Sequence, residues 1–181
     1  MTPVVPYVFS RIGAPVGAFS AGGTSQMAPE IYKLATQLFK EAEWPAIEAA
    51  LENCSELHTR SIKIDGELAA FVIVSTHNDY AFIDFCGVNP KHQGKGLGSK
   101  LLKETLSGIF QADLLACRLI VDDWNNDARR LYERLGFQQI GVVPQMSGLG
   151  YLMELRQFHP QGIAPTVISH LGLKSAETVS C

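Results

Sequence analysis

The chain has 181 residues, of which 46% are hydrophobic and 18% charged, and a formal net charge of −3. The length fits one domain with extra chain at its ends, and the composition is that of a folded globular protein. A mild acidic excess argues against a general nucleic-acid binder, and no apolar run is long enough to span a bilayer, so neither nucleic acid nor membrane is expected as a partner.

Residues 1–26 are rich in Pro, Gly and Ala and read as a leader. A short first strand is expected there, at Tyr7–Ser10 or Val16–Phe19. The N-terminus has no basic stretch before its hydrophobic residues, unlike a signal peptide. Cys54, Cys86, Cys117 and Cys181 form no CxxC pair and no His/Cys cluster with zinc spacing. They read as reduced thiols of a cytoplasmic protein, and no metal is expected.

Ile31, Leu34, Ala35, Leu38 and Phe39 recur at helical spacing, with Pro29 near the first turn. Trp44–Leu51 predicts a second helix that tolerates Pro45 in its first turn. The period then shortens. Thr59–Ile64 alternates, Asp65-Gly66 is a hairpin turn signal, and Leu68–Ser75 is the returning strand, apolar enough to be central. Tyr80–Val88 is a third strand, stopped by Asn89-Pro90.

Leu97, Leu101, Leu102, Leu106, Ile109 and Phe110 mark one face of a long helix. Leu114–Val121 follows as a buried strand. Ala128, Leu131, Tyr132 and Leu135 mark another helix, closed by Gly136. Phe137–Val143 and Tyr151–Leu155 are expected as an antiparallel pair. This order predicts a mixed α/β fold, α+β in character, with a hairpin-rich sheet flanked by helices. The step through Ser99–Gln111 is expected to be a right-handed parallel crossover, and residues 156–181 a tail outside the 27–155 domain.

Two stretches carry chemistry. Gln93-Gly94-Lys95-Gly96-Leu97-Gly98 lies between a strand and a helix. Glycines there let backbone N–H groups converge on a phosphate at the helix N-terminus. The position after two hairpins does not suit a dinucleotide fold, and no Lys-Ser or Lys-Thr pair closes a P-loop. The second stretch runs from Asn125 to Phe137. Asn125 or Asn126 can cap its helix, and Tyr132 shares a side with Ala128. Tyr132 reads either as a core tyrosine or as a phenol able to protonate a leaving thiolate.

Together the two stretches resemble the GNAT N-acetyltransferase superfamily. Its cofactor loop has Gln or Arg, two residues, Gly, one residue, then Gly or Ala, matched here by Gln93, Gly96 and Gly98. Its later signature is matched by Asn125, Ala128, Tyr132 and Gly136-Phe137. The resemblance covers roughly residues 27–155 and implies a sheet splayed at the cofactor site. It implies acetyl-CoA, or another acyl-CoA, as cofactor, with the backbone of Gln93, Gly94, Lys95, Gly96, Leu97, Gly98 and Ser99 on the pyrophosphate. It further implies that the strand ending Cys86-Gly87-Val88 parts from Leu119–Val121 to admit the pantetheine, with Asn125 beside it and Tyr132 near the sulfur.

The implied reaction is direct acetyl transfer to a primary amine of a small molecule or peptide, by a monomer or homodimer. The alternative is a GNAT-fold module that senses acyl-CoA without turnover. An alkylammonium has a pKa of roughly 10, so a base must release the attacking lone pair. Asp84, which interrupts the apolar run Phe82-Ile83-Asp84-Phe85, is the first candidate, either as base or as a structurally paired carboxylate. Asp122 and Asp123 are the next. A nucleophilic Cys86 is disfavoured because no basic partner is visible. The helices over Ile31–Leu51, with Glu41, Glu43, Trp44 and Glu48, and the loop around Pro144–Leu149 are expected on the acceptor side.

Overall fold

The computed structural model describes residues 28–145 and 148–157. Both alternatives for a first strand lie outside the described residues, as do the leader and nearly all of the tail.

Helix α1 (Ala28–Leu38) leads through a 3-10 turn (Glu41–Glu43) into α2 (Trp44–Glu52). A hairpin of β1 (Arg60–Ile64) and β2 (Glu67–Thr76) follows, then β3 (Tyr80–Val88). The hairpin turn is Asp65-Gly66, with φ of 51° and 79°, the two left-handed residues that a tight hairpin requires. Helix α3 (Leu97–Gln111) crosses to β4 (Ala116–Asp122), and α4 (Asn126–Arg134) leads to the hairpin β5 (Gln138–Gln145) and β6 (Gly148–Arg156).

These strands form one mixed sheet in the order β1-β2-β3-β4-β6-β5. Only β3 and β4 run parallel; the other neighbours are antiparallel. Pro144 is tolerated in β5 because that strand is an edge and need not donate outward. β4 begins at Ala116, two residues later than the sequence pattern predicts. Asp113 takes a left-handed turn conformation (φ 58°) and Leu115 is exposed, so the apolar start of that run belongs to the connection.

A core lies on each face of the sheet. Leu101, Leu102, Leu106 and Ile109 of α3 and Ala128, Leu131 and Tyr132 of α4 pack on one side. Ile31, Leu34, Ala35 and Leu38 of α1 and Ile47 of α2 pack with Phe71, Ile73 and Phe85 on the other. Helices on both faces explain why β2 is buried from Leu68 to Ser75 without alternation.

The decisive irregularity is in β3. Ile73 of β2 faces Phe85, and the next residue, Val74, faces Ile83, so Asp84 stands opposite nothing in β2. One extra residue in a strand is a β-bulge, which bends the strand and re-aims its side chains. The effect is visible in the packing. Ala81 and Ile83 face the α3/α4 core, and beyond the bulge so do Cys86 and Val88, while Phe85 joins the α1/α2 core. Without the bulge, Phe85 and Cys86 would exchange faces.

Candidate functional site

The parallel ladder between β3 and β4 runs from Tyr80↔Ala116 to Ile83↔Leu119 and stops there. Both strands continue, β3 to Val88 and β4 to Asp122. β4 stays paired on its other edge, with Asp122 opposite Gly150 of β6. The two strands therefore part at the Asp84 bulge. Among the described residues, the backbone of 84–88 has no strand partner on its β4 side. This is the expected splay, and the bulge is its local cause.

The cofactor-loop residues follow directly. Asn89 ends β3, and its side chain accepts from the Lys91 N–H at 3.1 Å, shaping a 3-10 turn over Pro90–His92. Gln93 reaches back, its Nε2 donating to the Val88 carbonyl at 3.0 Å, which ties the loop to the end of β3. Gly94 and Gly96 have φ of 74° and 76°, a region costly for residues with a Cβ. A Cβ at either would meet nothing within 4 Å, so the loop faces open space. Lys95 is exposed, its Nζ 3.5 Å from Nδ1 of His92. Leu97, Gly98 and Ser99 form the first turn of α3, and that turn has no side-chain cap and no acidic residue. Its N–H groups are available to an anion. A Cβ on Gly98 would sit 3.4 Å from Cγ2 of Val88, so the helix start is packed against the strand end.

Gly87 owes its identity to packing. A Cβ there would come within 2.7 Å of both Leu38 Cδ1 and Phe71 Cε1, and α1 can approach β3 closely because that Cβ is missing. Cys86 is buried, and burial pushes its thiol up to about 12, which leaves it protonated and inert, as the sequence suggests.

Asn125 is the N-cap of α4. Its Oδ1 accepts from the Ala128 N–H at 3.2 Å, and its Nδ2 is buried with no hydrogen-bond partner. A buried amide donor without an acceptor is costly unless something supplies one. Tyr132 is fully buried in the α3/α4 core, its ring edge-to-face with Phe137 at 5.7 Å.

On the opposite face, Asp84 is fully buried at the bulge, and its charge raises the Cys54 thiol, itself pushed up first by burial. Asp122 is buried at the tip of β4, whereas Asp123 is exposed. Sequence reasoning assigns Glu43 no role beyond its acceptor-side location. It is half-buried in the 3-10 turn, with its Oε2 accepting the Lys40 N–H at 3.0 Å. Burial pushes its carboxyl up, and the charge of Asp122 adds to that rise. Nothing in local sequence links Glu43 to Asp122; only the folded chain brings them together. Among the described residues no group of His, Cys, Asp and Glu could hold a metal ion, and no helix is long and apolar enough to cross a membrane.

A mixed sheet opened beside a glycine loop, with helices on both faces, defines an acyltransferase architecture. The sequence profile of the Acetyltransferase (GNAT) family matches residues 27–137, and the chain belongs to that family. Over 110 residues it is 30% identical to the spermine/spermidine N(1)-acetyltransferase of Bacillus subtilis, a match covering 53% of this chain and 71% of that protein. It is 39% identical over 79 residues to the mycothiol acetyltransferase of Thermomonospora curvata, covering 43% of this chain and 27% of that longer protein. The chain thus spans about a quarter of the mycothiol enzyme's length. In fold it is similar to Arabidopsis thaliana Naa50 in complex with the bisubstrate analogue CoA-Ac-MVNAL, at a TM-score of 0.61 and 18% identity, covering 76% of this chain and 97% of that one.

Proposed function

We propose that this chain is an acetyl-CoA-dependent N-acetyltransferase acting on a primary amine of a small molecule or peptide, with 27–155 as the catalytic unit. The observation that carries the reading is the parting of β3 and β4 at the Asp84 bulge, immediately before the uncapped, glycine-opened start of α3.

Three features support a fit to acetyl-CoA. The Gly94–Ser99 backbone presents N–H groups to open space, matching a pyrophosphate. The strand edge 84–88 offers amide groups to an extended, amide-bearing arm. The orphaned Nδ2 of Asn125 needs an acceptor, which a pantetheine carbonyl provides. When bound, acetyl-CoA supplies an activated acetyl thioester.

The chain's own groups then divide the work. The backbone of Gln93–Ser99 would hold the pyrophosphate, with Gln93 tying the loop to Val88 and Lys95 adding positive charge. Backbone N–H groups of Cys86–Val88 orient the pantetheine and stabilise negative charge on the thioester oxygen. Asp84 takes the proton of the attacking amine, and the Tyr132 hydroxyl gives one to the departing sulfur.

Titration with acetyl-CoA followed by thiol release across a panel of primary amines tests this. Saturable binding and amine-dependent thiol release are expected. Binding without release on any amine would instead support a sensor, and no binding would reject the reading.

A further inference from the structure

Beyond the catalytic reading, we propose that His58 is an acid-sensitive latch. Uncharged, it holds the connection between α2 and β1 against α3; protonated, it releases that connection.

The connection is pinned to β2 around a short turn. The Ser55 N–H donates to the Val74 carbonyl at 2.6 Å, and the Ser55 carbonyl accepts from the N–H groups of His58 and Thr59 at 3.2 and 2.8 Å. The Thr59 Oγ1 accepts the Val74 N–H at 3.2 Å. Glu56 and Leu57 of this turn are exposed, whereas His58 is only 3% exposed.

The imidazole packs on the last turns of α3. A Cβ on Gly108 would lie 3.8 Å from Nδ1 of His58 and 3.6 Å from Nη2 of Arg60, so a histidine and an arginine meet the helix at one place. Nδ1 of His58 is buried and has no hydrogen-bond partner among the described residues. Arg60 is steadied there by the Thr59 carbonyl, which accepts from its Nη1 at 3.1 Å. The acidic groups of the surrounding elements, Glu52 on α2, Glu56 in the turn and Glu104 one turn before Gly108 on α3, are all exposed. The carbonyl end of a helix favours a cation, but the Gly108 carbonyl accepts from the Ala112 N–H.

A neutral imidazole fits this place at the cost of one unpaired nitrogen. An imidazolium would be a buried cation with an unpaired N–H, beside a second cation. Burial, and after it the Arg60 charge, hold His58 below its ordinary value. The undocked side chain keeps the ordinary value of about 6.5 and so takes up a proton first. Docking is therefore fully stable above about pH 6.5 and weakens as pH falls from there through the lowered native value.

Amide hydrogen exchange, corrected for its intrinsic pH dependence, reads the latch through the N–H groups of Ser55, His58 and Thr59. In the wild type their opening is expected to rise toward about tenfold on going from pH about 7.5 to about 5.5, one unit below the ordinary histidine value. Their exchange is expected to stay faster than that of the β2/β3 ladder, as a local release requires. His58→Gln, polar but without a titrating group, is expected to flatten the response. NMR titration of the wild-type imidazole needs no variant, and a midpoint below about 6.5 is expected. Equal opening at the two pH values, the same rise in His58→Gln, exchange no faster than the ladder's, or an imidazole midpoint at or above the ordinary value would overturn the proposal.

Discussion

The two faces of the sheet present different kinds of site. On the α3/α4 face the parts proposed to hold the cofactor are mostly main chain: left-handed Gly94 and Gly96, the uncapped start of α3, and the edge of β3 that β4 leaves. On the α1/α2 face the buried and half-buried acidic groups are side chains set apart along the fold: Asp84 at a bulge, Asp122 at a strand tip and Glu43 in a 3-10 turn. A site made of backbone requires particular residues at fixed spacings, because only some residues permit that backbone. A site made of side chains leaves no such spacing. This difference explains why the cofactor side reads as a family motif and the acceptor side does not.

The largest expected effect breaks the comparison at the proposed proton donor, Tyr132. Tyr132→Phe keeps the packing against Phe137 and removes the hydroxyl. Single-turnover acetyl transfer should slow by roughly 10²-fold or more, with acetyl-CoA affinity little changed. Single-turnover kinetics is required because product release can mask a slower chemical step. A wild-type rate across pH would return Tyr132 to a packing role.

A smaller effect separates the glycines that shape the loop from the one that admits a helix. Gly87→Ala places a Cβ against Leu38 and Phe71, and overpacking of that kind costs about 1–3 kcal/mol. Thermal melting should show a fall of several degrees. An unchanged melting temperature would mean that α1 does not lie on β3 as described.

The smallest effect tests whether acidity on the α1/α2 face is uniform in purpose. Glu154, on β6 far from the strand tips, is buried, which favours its neutral form, but hydrogen bonds from Arg118 and Arg156 outweigh burial and hold its carboxyl below the usual range. A depressed native pKa contributes stability above the unfolded value, near 4.3, that is lost as pH falls through the native one. Denaturation below pH about 4.3 should therefore be steeper in the wild type than in Glu154→Gln. Equal slopes would show that the pair contributes nothing.

Much of the fold was legible. The β3 span Tyr80–Val88 and the Asp65-Gly66 turn match the sequence pattern, and β5 and β6 pair antiparallel as expected, though pairing extends through Pro144 and Leu149, which the sequence reads as loop. Periodicity and turn chemistry are local, and these elements depend on little else. The Asp84 bulge was not legible, since a bulge is a property of register against Ile73 and Val74 rather than of β3 alone. The sequence marks Asp84 only as a polar residue in an apolar strand. The sequence offers Asn125 or Asn126 as the cap, and the fold gives the role to Asn125; the orphaned Nδ2 was not legible, because burial decides it. Glu43 was legible as a residue near the acceptor side, but its approach to Asp122 joins the start of the domain to the end of β4, and no local pattern encodes that.

The central claim is that the glycine loop and the strand gap form one acetyl-CoA site. Calorimetric titration of acetyl-CoA into the wild-type protein and into Gly96→Val, with circular dichroism to confirm that both are folded, tests it most directly. Valine at a φ of 76° distorts the loop and sets a branched side chain into the open space before α3. Saturable binding by the wild type, weakened at least tenfold in the folded variant, is the predicted result. Equal affinity in the two proteins, or no binding to the wild type, would contradict the account.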